Sequence, residues 1–124
     1  PEEELPAFSG ETGLAGICLD PEKGYVFVTF AYQDENNILR NNMVRFEAEP
    51  GTFSLKAKST VHFTEIFVDE PTTPSHQIGP CQVYDGTVFV SLGDGHSFLK
   101  SRDIDSLLGK VIRMTPDGKP VSSN

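Results

Sequence analysis

Tryptophan is absent from the 124-residue sequence, and cysteine and methionine occur only twice each. Two cysteines are too few for a disulfide scaffold, and Cys18 and Cys81 lie too far apart for a zinc knuckle. Both sit in apolar, strand-like segments, where a free cysteine acts as a small hydrophobe. A bridge between them is the alternative reading, so cysteine usage leaves the redox compartment open. Cations are also scarce: 10 Lys and Arg stand against 18 Asp and Glu, a formal net charge of -8. That balance argues against nucleic acid, because phosphate contacts are made mainly by Lys and Arg. No apolar run approaches the roughly 20 residues of a membrane helix, and no Gly-x-Ser-x-Gly nucleophile elbow is present. No signal-peptide pattern appears; the chain opens on Pro1 without a methionine, which leaves room for a targeting segment upstream. What remains, 37% apolar and 23% charged residues, is the composition of a soluble globular protein long enough for one small domain with a core.

Strand signals dominate and helix signals are nearly absent. Tyr25–Tyr32, Met43–Phe46, Val61–Val68 and Val88–Leu92 are rich in Val, Ile, Phe and Tyr. Turn-forming clusters separate them: Asp20-Pro21, Asp34 to Asn37, Glu49-Pro50-Gly51 and Asp85-Gly86. The pattern is that of an antiparallel meander, and it contains a repeat. Gly16-Ile17-Cys18-Leu19, Asp20, Gly24 and Val26-Phe27-Val28-Thr29 return 62 to 63 positions later as Gly79-Pro80-Cys81-Gln82, Asp85, Gly86 and Val88-Phe89-Val90-Ser91. Each copy runs on to an Arg-bearing strand, Met43-Val44-Arg45-Phe46 and Val111-Ile112-Arg113-Met114. A unit of this length holds about four strands, which suits the blade of a β-propeller. The near-continuous apolar run Val26–Ala31 predicts a strand buried on both faces, as between neighbouring blades; a β-sandwich, with cleaner alternation, is the competing architecture. The expectation is an all-β chain of about seven or eight strands in two four-stranded sheets, with one short helical turn from Arg102 to Leu108.

The second copy carries a family resemblance. Ser75-His76-Gln77-Ile78-Gly79 leads into Tyr84-Asp85-Gly86-Thr87-Val88-Phe89-Val90-Ser91-Leu92-Gly93-Asp94-Gly95. Asp103-Ile104-Asp105-Ser106-Leu107-Leu108-Gly109-Lys110-Val111-Ile112-Arg113 and Pro116-Asp117-Gly118 follow. This succession resembles the soluble glucose/sorbosone dehydrogenases, and Gly10-Glu11-Thr12-Gly13-Leu14-Ala15-Gly16 is similar to the family's Gly-rich entry to an inner strand. The resemblance spans Ser9 to about Pro120. It implies about two blades of a six-bladed propeller, one partial domain over residues 1–124 with blades at about 9–70 and 75–124. It also implies oxidation of an aldose sugar with pyrroloquinoline quinone and calcium, in a periplasmic or extracellular setting. Family members run on through further blades, which supply most of the groups that hold quinone and calcium. The chain by itself is therefore expected to be inert. Two blades leave an apolar face open at each end, to be covered by the missing blades or by other copies, for example three chains closing a ring.

Loops at one end of a propeller channel converge on a single site. The repeat places Glu11 and Ser75-His76 before equivalent inner strands, lining one funnel, with Asp94 to Arg102 as a rim loop. His76 is the candidate catalytic residue. A histidine titrating near neutrality can take a proton from a sugar hydroxyl while hydride leaves for a quinone carbon, and the resemblance implies that role; a turn histidine bonded to a carbonyl is the alternative. Some quinone-binding relatives carry an acid before this histidine, and here Ser75 stands there. Glu11 is the candidate cofactor-binding residue, at a position where dye-coupled relatives carry a glutamine; a carboxylate there would repel an anionic quinone unless protonated or shielded. Gly93-Asp94-Gly95 reads first as a tight turn and second as a source of a metal ligand, and Asp34-Glu35-Asn36-Asn37 as a hairpin loop without the glycine and closing glutamate of an EF-hand. His62 and His96 have no assigned partner. Arg45 and Arg113 lie within strands and are expected to pair inside a blade. Two other functions compete: a non-catalytic ligand- or protein-binding propeller on the same scaffold, and a calcium-dependent lactonase-type propeller.

Overall fold

The computed structural model describes residues 12–54, 63–68 and 71–122; Glu11 and His62 lie outside them. Four strands follow one another as a meander: β1 (Gly13–Asp20), β2 (Tyr25–Gln33), β3 (Leu39–Glu47) and β4 (Phe63–Val68). A second sheet holds β5 (Ile78–Tyr84), β6 (Thr87–Leu92) and β7 (Lys110–Met114), again in chain order and antiparallel. These are two blades of an incomplete β-propeller. The second sheet has three strands among the described residues, not four. The expected helical turn is a 3₁₀ turn placed earlier, at Lys100–Arg102.

Local chemistry sets the hairpins. Gly24 takes a φ of 72° and returns its N–H to the Asp20 carbonyl, while the Asp20 carboxylate accepts from the N–H groups of Glu22 and Lys23. In the β2–β3 loop Asp34 accepts from the backbone of Asn36 and Ile38 and from the Arg40 guanidinium at 2.7 Å. Its oxygens are occupied in closing a hairpin, which accounts for this acidic cluster without a cation.

The core lies between the sheets. Cys18, Phe27 and Met43 from the first pack on Ile78, Val88, Val90, Leu92 and Met114 from the second, each large buried side chain contributing about 1.5–3 kcal/mol. In β2 only the inward residues Phe27, Thr29 and Ala31 are buried, and Val26, Val28 and Phe30 are half-buried. The expectation of two buried faces is therefore met on one, because the described residues contain a single sheet–sheet interface. Apolar residues remain on both outer faces, Leu14 at 67% and Val111 at 73% exposure among them.

The two cysteines are joined, which corrects the free-hydrophobe reading: Cys18 and Cys81 form a disulfide with a Cα–Cα distance of 5.5 Å. Repeat-equivalent positions on the innermost strands face each other across the blade boundary, at a separation that suits a bridge. The strands come close because Gly16 faces Pro80; a Cβ on Gly16 would lie 2.5 Å from the Pro80 Cα. Polar groups tie the same interface. Thr29 Oγ1 donates to the Gly79 carbonyl at 2.9 Å, and the Ile78 N–H donates to Asn41 Oδ1 at 3.0 Å.

Arg113 pairs within its own sheet, with Thr87 Oγ1, whereas Arg45 crosses between sheets. Only 6% exposed, Arg45 donates to the Pro116 carbonyl at 2.8 Å and to Asp117 Oδ1 at 2.6 Å in the second blade, and to Glu47 in its own. Its guanidinium also lies 4.2 Å from the Tyr25 ring centre. Arg45→Lys keeps the charge but loses the fork, and is expected to lower stability by about 1–2 kcal/mol in chemical denaturation. The Arg45 hydrogen bond holds the Asp117 carboxyl below the usual carboxylate range. A depressed acid stabilises the fold above its unfolded value, about 4, and that contribution is lost as pH falls through the folded value. The gap between native protein and variant should therefore narrow on acidification; a gap that widens below pH 4 would remove Asp117 from the account.

Candidate functional site

Two loops meet at one end of the second blade: the turn before β5, which carries His76, and the β6–β7 connection, which begins at Gly93. They are joined by backbone. The Gly93 N–H donates to the Gln77 carbonyl at 2.9 Å, the Gly95 N–H to the His76 carbonyl at 3.1 Å, and the Gly109 N–H to the Gly93 carbonyl at 3.0 Å. His76 and His96 both adopt left-handed backbone, with φ of 56° and 58°, a region histidine enters more readily than branched residues do.

The two glycines of Gly93-Asp94-Gly95 serve different ends. Gly95 takes a φ of 54°, as a tight turn needs. Gly93 permits close approach: a Cβ there would lie 2.1 Å from the His76 carbonyl oxygen. Backbone cannot yield to that contact cheaply, so Gly93→Ala should displace the His76 turn. The expected result is a lowered melting temperature, with His76 shifted off Asp94 as read from its imidazole nitrogen-15 signals. Unmoved His76 imidazole signals in that variant would show that Gly93 does not set the placement of His76.

Asp94 does more than turn the chain. Its Oδ1 takes the His76 Nδ1 at 2.9 Å and the His96 N–H at 3.0 Å. The His76 hydrogen bond, then the His96 N–H, hold the Asp94 carboxyl below the usual carboxylate range, so it is ionised at neutral pH. An ionised acceptor on Nδ1 favours the tautomer with its proton there and its basic lone pair on Nε2. The His76 side chain is 52% exposed, and with Asp94, Ser91, Leu92, Ser101 and Lys110 it lines an open cleft of about 640 Å³. The acid that orients His76 thus comes from the rim loop and not from position 75. Ser75 bonds instead to His96 Nε2, and the two imidazole rings lie 4.0 Å apart, tilted by 32°.

His96, given no partner from sequence, and Asp94, read there as a turn residue, are the members of the site that sequence reasoning missed. The available signal was the rim loop itself, which the repeat places beside His76 and which carries both. The Ser106-Leu107-Leu108-Gly109-Lys110 segment is scaffold for that loop. Leu108 is buried, Ser106 Oγ accepts from its N–H, and Lys110 Nζ donates to the carbonyls of Lys100, Ser101 and Leu108.

The described residues match one side of the implied chemistry. They present a carboxylate-held imidazole at a cleft, but no cradle for a tricarboxylate quinone, since Lys110 is committed to three carbonyls and Arg102 stacks 4.3 Å over the Phe98 ring. Among the described residues no group of three or more His, Cys, Asp or Glu is placed to hold a metal. Glu11 lies outside the described residues.

Comparisons with known proteins agree on one family. The family model described as glucose/sorbosone dehydrogenase matches residues 3–124. A comparison with curated proteins gave no significant match. Among solved structures, the PQQ-bound form of aldose sugar dehydrogenase from Streptomyces coelicolor is 29% identical, with a TM-score of 0.71, over 98% of this chain and 36% of that one. An oxidoreductase (glucose dehydrogenase) from Thermus thermophilus is 28% identical, with a TM-score of 0.72, over 93% of this chain and 34% of that one. A glucose dehydrogenase at 22% identity shares the fold, with a TM-score of 0.74 over 93% of this chain and 36% of that one. This chain therefore spans about a third of the structures it matches, and it belongs to the glucose/sorbosone dehydrogenase family.

Proposed function

We propose that this chain is the part of a sugar-oxidising enzyme that supplies the proton acceptor, His76, for removal of a sugar hydroxyl proton. The observation that carries the reading is the His76 Nδ1–Asp94 Oδ1 contact at the mouth of an open cleft. Oxidising an aldose hydroxyl to a carbonyl removes a proton from oxygen and a hydride from carbon. His76 Nε2 takes the proton, and the neighbouring carboxylate stabilises the imidazolium that forms. The hydride requires an acceptor that the described residues do not hold. A relative of known structure binds PQQ, and a quinone supplies two-electron acceptance when bound. The groups that hold the quinone and calcium are assigned to other parts of the protein, and Glu11 remains a candidate contact. Further blades, or further copies of the chain, cover the outer faces. A bridged Cys18–Cys81 pair suits an oxidising compartment, periplasmic or extracellular.

A second reading has one observation in its favour. Lys110, the lysine that lines the cleft, is tied to carbonyls, as in a binding propeller that has lost its cofactor. Dye reduction by the full-length protein, with a panel of aldoses and with or without the quinone and calcium, separates the two. Quinone-dependent reduction with at least one aldose is expected. No reduction with any aldose would leave the binding propeller standing, and lactone hydrolysis without quinone would favour the lactonase-type alternative.

A further inference from the structure

We infer that His96 is a positioning residue for His76: its ring backs the His76 imidazole, and with Ser75 it keeps His76 Nδ1 on Asp94. The inference rests on the reading of His76 as proton acceptor. Three contacts form a closed circuit. The His96 ring lies 4.0 Å from the His76 ring, tilted by 32°. Its Nε2 is bonded to the hydroxyl of Ser75, the residue immediately before His76. Its backbone N–H, at 3.0 Å, reaches the same Asp94 oxygen that receives His76 Nδ1 at 2.9 Å.

The Asp94 contact fixes one nitrogen of the His76 ring, whose last side-chain torsion is intrinsically soft and broad. A flat ring against one face removes much of that freedom, and the Ser75 hydroxyl holds the backing ring in its place. The two loops that carry this pair are tied again by a side chain, Thr73 Oγ1 donating to the Gly95 carbonyl at 2.7 Å. The position before His76 thus contributes to orienting it without being acidic, by way of a second histidine.

The test uses the full-length protein and two substitutions that separate ring from backbone. His96→Asn removes the ring but tolerates left-handed backbone and retains the N–H to Asp94. His96→Phe keeps a flat ring and the N–H to Asp94, loses the bond to Ser75, and is less at ease in left-handed backbone than asparagine. Nitrogen-15 imidazole spectra report which ring nitrogen of His76 carries the proton, whether or not the protein oxidises sugars. The native protein is expected to hold the Nδ1-protonated form, His96→Phe to shift slightly from it, and His96→Asn to relax towards a tautomer mixture. Where sugar oxidation is measurable, His96→Asn should lower kcat roughly 10- to 100-fold with KM nearly unchanged, and His96→Phe should retain most of it. Ser75→Ala, which leaves all backbone bonds intact, should shift the tautomer the same way by less. An unmoved His76 tautomer in both His96→Asn and Ser75→Ala overturns the inference, as does a His96→Phe protein that behaves like His96→Asn. A native protein with no dehydrogenase activity would instead remove the proposed function, and the tautomer comparison would still decide the role of His96.

Discussion

Replacing His76 with alanine should lower the sugar-dependent turnover of the full-length protein by roughly 10²- to 10⁴-fold, the span usual for loss of a positioned general base. The expectation comes from the pairing and not from the residue type. A half-exposed histidine in a turn is ordinary, but His76 meets an ionised carboxylate at 2.9 Å that is itself fixed by a backbone N–H. That arrangement suits the proposed role, because the carboxylate would stabilise the charge that proton transfer to the imidazole creates. Under the proposed role the imidazole acts on the substrate proton, so quinone affinity should change far less than kcat. His76→Gln, which can still hydrogen-bond but cannot accept the proton, should be nearly as slow as the alanine variant. Turnover within a few-fold of native in both variants would reduce His76 to a turn residue bonded to its neighbours, and the binding-propeller reading would gain. A variant that loses quinone affinity as strongly as kcat would place His76 at the cofactor instead.

The strands that could be read from sequence were those whose composition is uniform. Tyr25–Tyr32, Met43–Phe46 and Val88–Leu92 lie within β2, β3 and β6, where branched and aromatic side chains fill a packed sheet. The innermost strands β1 and β5 carry Gly16, Gly79 and Pro80, residues that signal turns; they were visible through the repeat and not through propensity. Their departure from strand composition has a physical cause. Gly16 faces Pro80 across the blade boundary with no room for a side chain, and β5 breaks register between Ile78 and Cys81, at the place where proline removes an N–H from the ladder.

The site was legible in part for a related reason. His76 stands out as a chemical group at a predictable loop, but its partner Asp94 lies 18 residues away, and Gly-Asp-Gly is a sufficient description of a turn. Only the backbone bonds that join the two loops show that this turn delivers a carboxylate to an imidazole. Arg45 misled in the same way. A strand arginine looks like a residue that pairs along its own sheet, and here it reaches Pro116 and Asp117, 71 and 72 residues on. Contacts between repeats depend on how far one blade is rotated against the next, which local sequence does not encode.

Removing the bridge between the blades should have the largest effect on stability. Cys18 and Cys81 are separated by 63 residues, and the chain-entropy cost of closing a loop of that length in the unfolded state corresponds to about 4 kcal/mol at 25 °C. The Cys18→Ala/Cys81→Ala protein is expected to unfold at a distinctly lower denaturant concentration than the native protein. Addition of a reductant should bring the native protein to the same midpoint and leave the double variant where it is. Each single variant should lose as much as the double, because one missing sulfur opens the whole loop. The remaining ties, Thr29 to Gly79, Asn41 to Ile78 and Arg45 to Asp117, should keep the two sheets docked at neutral pH. Hydrogen exchange at β1 and β5 should therefore quicken more than exchange at β3 and β6, since the lost constraint joins the innermost strands. Equal unfolding midpoints for native and double-variant proteins under non-reducing conditions, with the Cys18–Cys81 link verified in the native protein by peptide mass, would show that the polar and apolar contacts alone hold the blades together.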